Sequence, residues 1–324
     1  MGRVSQDGSA VGSTAPVAAP ARVGVRDLSL REWRVHIGAH KTATTHFQRL
    51  LAEAGPLVRD SGGAVLLEDT LRGPARSAKR GRSGLRGLRH RLRLRFRTPA
   101  RIRAAAGDSR FVVASEEDIL GYVPDLLQKD FYPDLRGIDL VRRTARGARL
   151  DLFVSIRSYD TLLTSALFEM LKAIPDARAH WEAGVARLLA ECSGWPGLMA
   201  RIGQRAPEAR LHFWCMESYT RDPGAVLRQF TGVDMPDLPP SPPPSRTRAP
   251  ALSALDEVAA LDPSLAGAER IERVRAIYKR HPAGPEDPPA VSALLAPADA
   301  AALADRYAED VAVLQARYSE LGAA

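Results

Sequence analysis

This sequence is poor in the residues that build metal centres and disulfide frameworks. Its 324 residues hold two cysteines, Cys192 and Cys215, with no metal-ligand spacing between them. Both read as buried thiols in a reducing compartment. No apolar run approaches the roughly 18 residues of a membrane span, so no transmembrane anchor is expected. The first residues, MGRVSQDGSAVGSTAPVAAPARVGV, lack the long apolar core of a secretory signal. They read as part of a flexible Ala/Gly/Ser/Pro tail covering residues 1–30. One stretch lacks acid altogether: residues 72–103 hold 13 Lys and Arg and no Asp or Glu, which leaves 33 basic against 38 acidic residues elsewhere. The net charge of +8 is therefore local. Aromatic residues are not interleaved with those arginines, so nucleic acid is not an expected partner.

What is present is ample for a core, with 45% hydrophobic residues. Short apolar runs at 33–38, 63–67, 110–114, 150–156 and 210–215 read as strands. They alternate with helical periodicity at 44–54, 135–146, 159–173, 180–204 and 223–230. The run 150–156 (LDLFVSI) is nearly continuous, as in a central parallel strand. The expected fold class is α/β, a P-loop-type open parallel sheet flanked by helices with a C-terminal helical extension. The expected divisions are an α/β domain at 31–235, a proline-rich connector at 236–250 and helices within 251–324, at 251–280 and 297–321, packed on that domain. Trp181, Trp195 and Trp214 read as core residues.

The segment "HIGAHKTATTHF", residues 36–47, sits at the end of the first strand and opens the first helix. The helix start offers unpaired N–H groups and a positive dipole end, which favour an anion. Thr42, Thr44 and Thr45 are placed to cap those amides and donate hydroxyls, and Lys41 brings a cation. An NTPase loop would carry a second glycine directly before the lysine. Here Gly38 precedes Lys41 by three positions, and the small hydroxyl residues follow the charge.

The pattern Gly38-x-x-Lys41-Thr42-Ala43-Thr44-Thr45 ahead of a helix resembles the 5′-phosphosulfate loop of sulfotransferases that use 3′-phosphoadenosine-5′-phosphosulfate (PAPS). The family usually has glycine where Ala43 stands. A second stretch, RSYDTLLTS, resembles the same family's 3′-phosphate clamp, with Arg157 at a strand end and Ser165 on the following helix. The resemblance covers residues 33–230 and carries residue by residue to Gly38, His40, Lys41, Thr42, Ala43, Thr44, Thr45, Arg157 and Ser165 as co-substrate contacts. It implies transfer of a sulfuryl group from PAPS to a hydroxyl acceptor (saccharide, lipid or small metabolite), as in bacterial and carbohydrate sulfotransferases, without a metal.

Lys41 then answers charge developing on the leaving group. A base is needed for the acceptor hydroxyl, and "SEED" at 115–118 follows the third strand, where carboxyl ends line the crevice of an open α/β sheet. Glu116 is the first choice, with Glu117 the alternative; the competing account is that the cluster only caps a helix at 118–127. His36 reads as a core residue and His40 as a phosphate contact. His40 is the histidine to consider as base if neither glutamate serves. Arg246 and Arg248 are weaker candidates for a basic loop over the 3′-phosphate.

Two other functions compete with this one. A P-loop kinase is disfavoured by the missing glycine and by the lack of an evident Mg²⁺-binding aspartate. A non-catalytic binder of polyanions or membrane surfaces would be built around 72–103. There Leu85, Leu88, Leu92 and Phe96 share a helical face, while 91–97 alternate as a strand would. With no counter-charge, the segment is expected to be mobile or marginally helical by itself. An anionic membrane surface or an acidic polysaccharide is its expected partner, and a cytoplasmic location, extending to the inner membrane face, follows.

Overall fold

The computed structural model describes residues 31–80, 84–235, 250–284 and 290–322. The proposed tail at 1–30, and most of the proline-rich connector with Arg246 and Arg248, lie outside the described residues. In chain order, β1 (Glu32–His36) leads into α1 (Thr44–Glu53) and α2 (Gly55–Asp60), then β2 (Gly63–Leu66). Next come α3 (Glu68–Lys79), α4 (Gly84–Leu92), a π turn (Arg93–Arg97), α5 (Thr98–Ala105) and β3 (Phe111–Ser115). After α6 (Arg136–Thr144) and β4 (Arg149–Ile156) follow α7 (Tyr159–Met170), α8 (Ala177–Glu191), α9 (Gly194–Arg205) and β5 (Arg210–Cys215). The chain ends with α10 (Met216–Arg221), α11 (Pro223–Thr231), α12 (Ser253–Ala259), α13 (Gly267–Arg280), α14 (Ala290–Leu294), α15 (Pro297–Gln315) and β6 (Ser319–Glu320).

The six strands form one open, all-parallel sheet in the order β2-β3-β1-β4-β5-β6. The five strands read from apolar runs are all present within a residue or two of their expected bounds. The sixth has no such run: it is two residues paired with His212 and Phe213 at the sheet edge, set by tertiary contact rather than local pattern.

Strand alternation divides the core between the two faces. Leu152, Val154 and Ile156 of β4 join Trp33, Val35, Val112 and Ala114 in the larger cluster, which takes in α7, α9 and α15. Phe153, Val113 and Trp214 point the other way, against Phe47, Leu50 and Leu51 of α1 and Phe230 of α11. The helix after β1 thus covers one face, and the chain after β3 and β4 covers the other. Connections diverge at the carboxyl end of β1, and such a divergence opens a crevice in a parallel sheet. Trp181, Trp195 and Trp214 are buried, as are both free cysteines.

Several expected helices are subdivided. The stretch 180–204 breaks at Ser193, where Gly194 takes φ +63° and Trp195 donates its backbone N–H to the Tyr159 hydroxyl at 2.8 Å. No α-helix forms at 118–127. Gly121 and Pro124 interrupt the period, and two 3₁₀ segments, Glu117–Ile119 and Val123–Leu127, replace it. The stretch 251–280 becomes α12 and α13, and 297–321 becomes α15 followed by the edge strand. The basic segment is helical, not extended: at 91–97 Leu94 turns inward while Leu92 and Phe96 face outward. Among the described residues no helix is long and apolar enough to cross a membrane.

Candidate functional site

The loop between β1 and α1 extends the sheet before it turns. The Ile37 and Ala39 amides donate to the Phe153 and Ser155 carbonyls, each at 3.0 Å, and the Gly38 carbonyl accepts from the Ser155 amide at 2.7 Å. Gly38 has φ +104°, and a Cβ there would lie 3.3 Å from the Glu117 backbone, so both conformation and space favour glycine. Beyond it, Lys41 (φ +65°) and Ala43 (φ +61°) are left-handed. Among the described residues the only other non-glycine at positive φ is Tyr132, at +51°. Its hydroxyl accepts the His40 backbone N–H at 2.9 Å. All three strained residues therefore meet at one place, and strain of this kind, about 1–3 kcal/mol each, concentrates at functional sites.

The threonines do not cap the helix as expected. Ala43 is the N-cap residue, and it has no side chain with which to cap the α1 amides. The Thr42 hydroxyl turns inward to the Ala39 carbonyl at 2.6 Å and to the Ser155 hydroxyl, because the left-handed residues on either side rotate it into the sheet. Thr44 is buried and Thr45 exposed. The N-cap residue therefore offers no side-chain acceptor to the amides at the helix start.

The β4 flank of this loop is cationic. Arg157, one residue past β4, donates through Nη1 to the Lys41 carbonyl and through Nε to the Thr161 hydroxyl, both at 2.8 Å. No carboxylate lies within 4 Å of its guanidinium among the described residues, and burial lowers its proton affinity below the usual arginine range. Ser165, one turn beyond Thr161 on α7, is half-buried and makes no hydrogen bond to Arg157. Thr161 is the hydroxyl in contact, and its i,i+4 spacing from Arg157 is the signal that could have found it. Lys41 is held: its ammonium donates to Glu169 Oε2 at 3.1 Å, and Lys172 reaches the same oxygen at 2.8 Å. Burial opposes ionisation of Glu169, but the two lysines outweigh it and bring its carboxyl down to about 2.

The β3 flank is acidic. The Glu116 amide continues the ladder to the His36 carbonyl at 3.0 Å, which places its side chain directly past the strand end. Glu116 is 0% exposed. Its Oε1 accepts the Asp118 amide at 3.0 Å, so it does cap the first 3₁₀ segment, while buried Oε2 has no hydrogen-bond partner. Arg72 Nε lies 3.3 Å from Oε2. Burial pushes the Glu116 carboxyl up to about 7, against the downward pull of the Asp118 amide and the Arg72 charge. Glu117 is more open, with Oε2 3.5 Å from Gln48 Nε2 and Oε1 3.8 Å from Arg72 Nη2. Asp118 meets Arg76 and, at 3.3 Å, His40 Nε2. Burial would raise its carboxyl, but these two partners prevail and hold it below the usual range.

Arg72 and Arg76 thus come from the basic segment to pair with this cluster, and Lys79 donates to the Asp118 backbone carbonyl, so the segment is not without counter-charge. The acids lie some forty residues away in sequence, which is why residue order hides the pairing.

The three histidines are engaged. His36 bridges Ser115 Oγ (2.8 Å) and Ser155 Oγ (2.9 Å) within the sheet, and burial lowers it to about 3, so it is a neutral core residue. His40 has Tyr132 on one ring nitrogen and Asp118 on the other. His46 points at the Tyr219 hydroxyl. Among the described residues no group of three or more His, Cys, Asp or Glu is placed to hold a metal ion.

No family model, curated protein or solved structure matches this chain. The geometry stands alone. It brings Gly38, His40, Lys41 and Thr42 together with Arg157 on one side and Glu116 on the other, and adds Tyr132, Thr161, Glu169 and Arg72. Tyr132 carries no local signal, since its role depends on a left-handed backbone in a loop distant in sequence.

Proposed function

We propose that the protein is a sulfotransferase of P-loop-type fold that moves a sulfuryl group from PAPS to a hydroxyl acceptor. The observation that carries this reading is the cationic flank of the loop. Arg157, with no carboxylate within 4 Å among the described residues and with Glu217 and Asp160 acting on it from farther off, is bonded to a loop that leads into a helix whose N-cap, Ala43, supplies no capping side chain. A guanidinium, an ammonium and a row of N–H donors make a site for a ligand with two phosphate groups.

In this reading the chain's residues divide the work. Arg157 holds the 3′-phosphate, and the amides at the start of α1 hold the 5′-phosphosulfate. Lys41 leaves Glu169 to meet the negative charge that grows on the bridging oxygen as the S–O bond to the 5′-phosphate breaks. A bond forms between the acceptor oxygen and sulfur, and the acceptor's proton passes to a glutamate. The products are a sulfate ester and adenosine 3′,5′-bisphosphate. Glu116 has the proton affinity and the unsatisfied oxygen for this role, and reaching it requires Arg72 to swing aside. Glu117 is more exposed, though it too lies beside Arg72, and is the alternative base.

Adenosine 3′,5′-bisphosphate should raise the melting temperature, since a ligand at a hundredfold excess over its Kd adds about 2.7 kcal/mol to the native state. ATP with Mg²⁺ should do much less. Equal shifts from both ligands would favour a kinase, and no shift from the bisphosphate would remove the sulfotransferase reading.

A further inference from the structure

The outer surface of α4, the π turn and α5 is not used by the site just described. Its inner side is fastened to the body. Leu94 and Ile102 are buried, His90 Nε2 lies 3.0 Å from the Ser77 carbonyl, and Arg103 donates to the Arg143 carbonyl at 2.9 Å. Its outer side carries Leu88, Leu92 and Phe96 at 47%, 48% and 58% exposure. These are among the most exposed large apolar side chains of the described residues. Four-residue steps along a plain α-helix drift round its axis by about 40° each. The π turn at Arg93–Arg97 takes an extra residue per turn, which counters the drift and brings Phe96 back into line with Leu88 and Leu92.

Around this apolar row stand Arg86, Arg89, Arg91, Arg93, Arg95, Arg97 and Arg101, all exposed. None of the seven has a carboxylate within 4 Å among the described residues, and the Arg95 guanidinium lies 5.4 Å from the Phe96 ring centre. The contrast is with Arg72 and Arg76, whose charges are already answered by Glu116, Glu117 and Asp118.

We propose that this helical face is a docking surface for an anionic lipid membrane. Arginines that flank a row of leucines and a phenylalanine match a bilayer interface, where phosphates meet acyl chains: guanidinium groups stay at the headgroups and the apolar row enters below them. A polysaccharide would use the arginines but has no place for three aligned apolar side chains. A second copy of this chain would bring seven more cations against the first seven. The inference is independent of the sulfuryl-transfer reading.

The test is sedimentation of the full chain with phosphatidylcholine vesicles that contain phosphatidylglycerol, with pure phosphatidylcholine vesicles, and with heparin beads. Wild type should bind the anionic vesicles, weakly at high salt, and bind the neutral ones little. Each Arg89→Gln or Arg93→Gln change should weaken binding about fivefold. The triple change Leu88→Ser, Leu92→Ser, Phe96→Ser should weaken it roughly a hundredfold, with the melting temperature unchanged because all three side chains are exposed. As a second readout, Phe96→Trp should show a blue-shifted emission with anionic vesicles only; the four native tryptophans are buried and will not respond. The proposal is overturned if the triple variant binds vesicles as wild type does, if the emission of the Phe96→Trp variant does not move, or if heparin retains the protein and vesicles do not.

Discussion

The two flanks of the β1–α1 loop are chemical opposites. Toward β4 lie Arg157 and Lys41, with no carboxylate within 4 Å of the arginine among the described residues and the lysine parked on Glu169. Toward β3 lie Glu116, Glu117 and Asp118, covered by cations from α3. One flank presents cations, and the proposed function gives it a polyanion; the other presents carboxylates that already have cationic partners. In the proposed function, one crevice binds a polyanionic donor and keeps a base beside it: burial raises the proton affinity of Glu116, while Arg72 and Arg76 of α3 pair with the acids and limit their repulsion of the donor.

The sharpest way to break this comparison is at Glu116. Glu116→Gln should lower transfer by about 10²–10⁴-fold while leaving bisphosphate affinity near normal. Wild-type turnover should rise as pH passes about 7, where this carboxyl ionises. Stability should respond in the opposite sense. The folded-state value lies above the ordinary 4.5, so between 4.5 and about 7 the native protein holds a proton that the unfolded chain has lost. Stability falls across that window as pH rises, and the cost is complete above it. Glu116→Gln should therefore melt higher than wild type above pH 7 by at most about 3 kcal/mol, with the difference gone in acid. Parallel kinetics of Glu117→Gln decide between the neighbours; two active variants would leave the cluster with a capping role alone.

Next in size is Lys41. Lys41→Ala should cut turnover by about 10²–10³-fold at saturating donor, with little change in bisphosphate affinity, because the charge it answers develops in the transition state. Alanine keeps the same left-handed strain, and Glu169 keeps Lys172 as partner, so the variant should fold. Unchanged turnover would rule out the leaving-group role.

Arg157→Ala should act on binding instead, weakening bisphosphate by about 2–3 kcal/mol for a lost charge-assisted bond. Arg157→Lys should recover only part of this, since one fork spans both the Lys41 carbonyl and the Thr161 hydroxyl. Isothermal titration measures both; an affinity equal to wild type in the alanine variant would move the 3′-phosphate elsewhere.

Much of this is legible from residue order, and what is not has physical causes. Parallel strands buried on both faces announce themselves as apolar runs, and the glycine at the end of the first strand marks the tight left-handed turn that opens the loop, as the φ of +104° at Gly38 bears out. Glu116 follows from its position at a strand end. Local pattern does not encode which way a hydroxyl turns once its neighbours go left-handed, so it points Thr42 outward when the side chain faces in. Nor does it encode ion pairs across long separations. Glu169 and Arg72 are separated from Lys41 and Glu116 by more than forty residues, and only the fold brings each pair together.

The smallest expected effect concerns Ala43. It occupies φ +61° at the N-cap of α1, in the region that costs an L-residue about 1–2 kcal/mol and glycine nothing. Glycine gives back part of that gain through the greater freedom of its unfolded chain, about 0.5–1 kcal/mol. Ala43→Gly should therefore stabilise the fold slightly, by about 0.5–1 kcal/mol, readable as a small rise in denaturant midpoint. The Ala43 side chain makes no cap bond to the α1 amides, so the substitution removes no hydrogen bond. If the phosphate loop must keep this geometry to hold its ligand, bisphosphate affinity should stay within a few-fold of wild type, since glycine adopts the same conformation. A lower midpoint in the glycine variant would mean that the left-handed turn at Ala43 is not the conformation of the loop in solution, and the proposed anion site at the start of α1 would lose its basis.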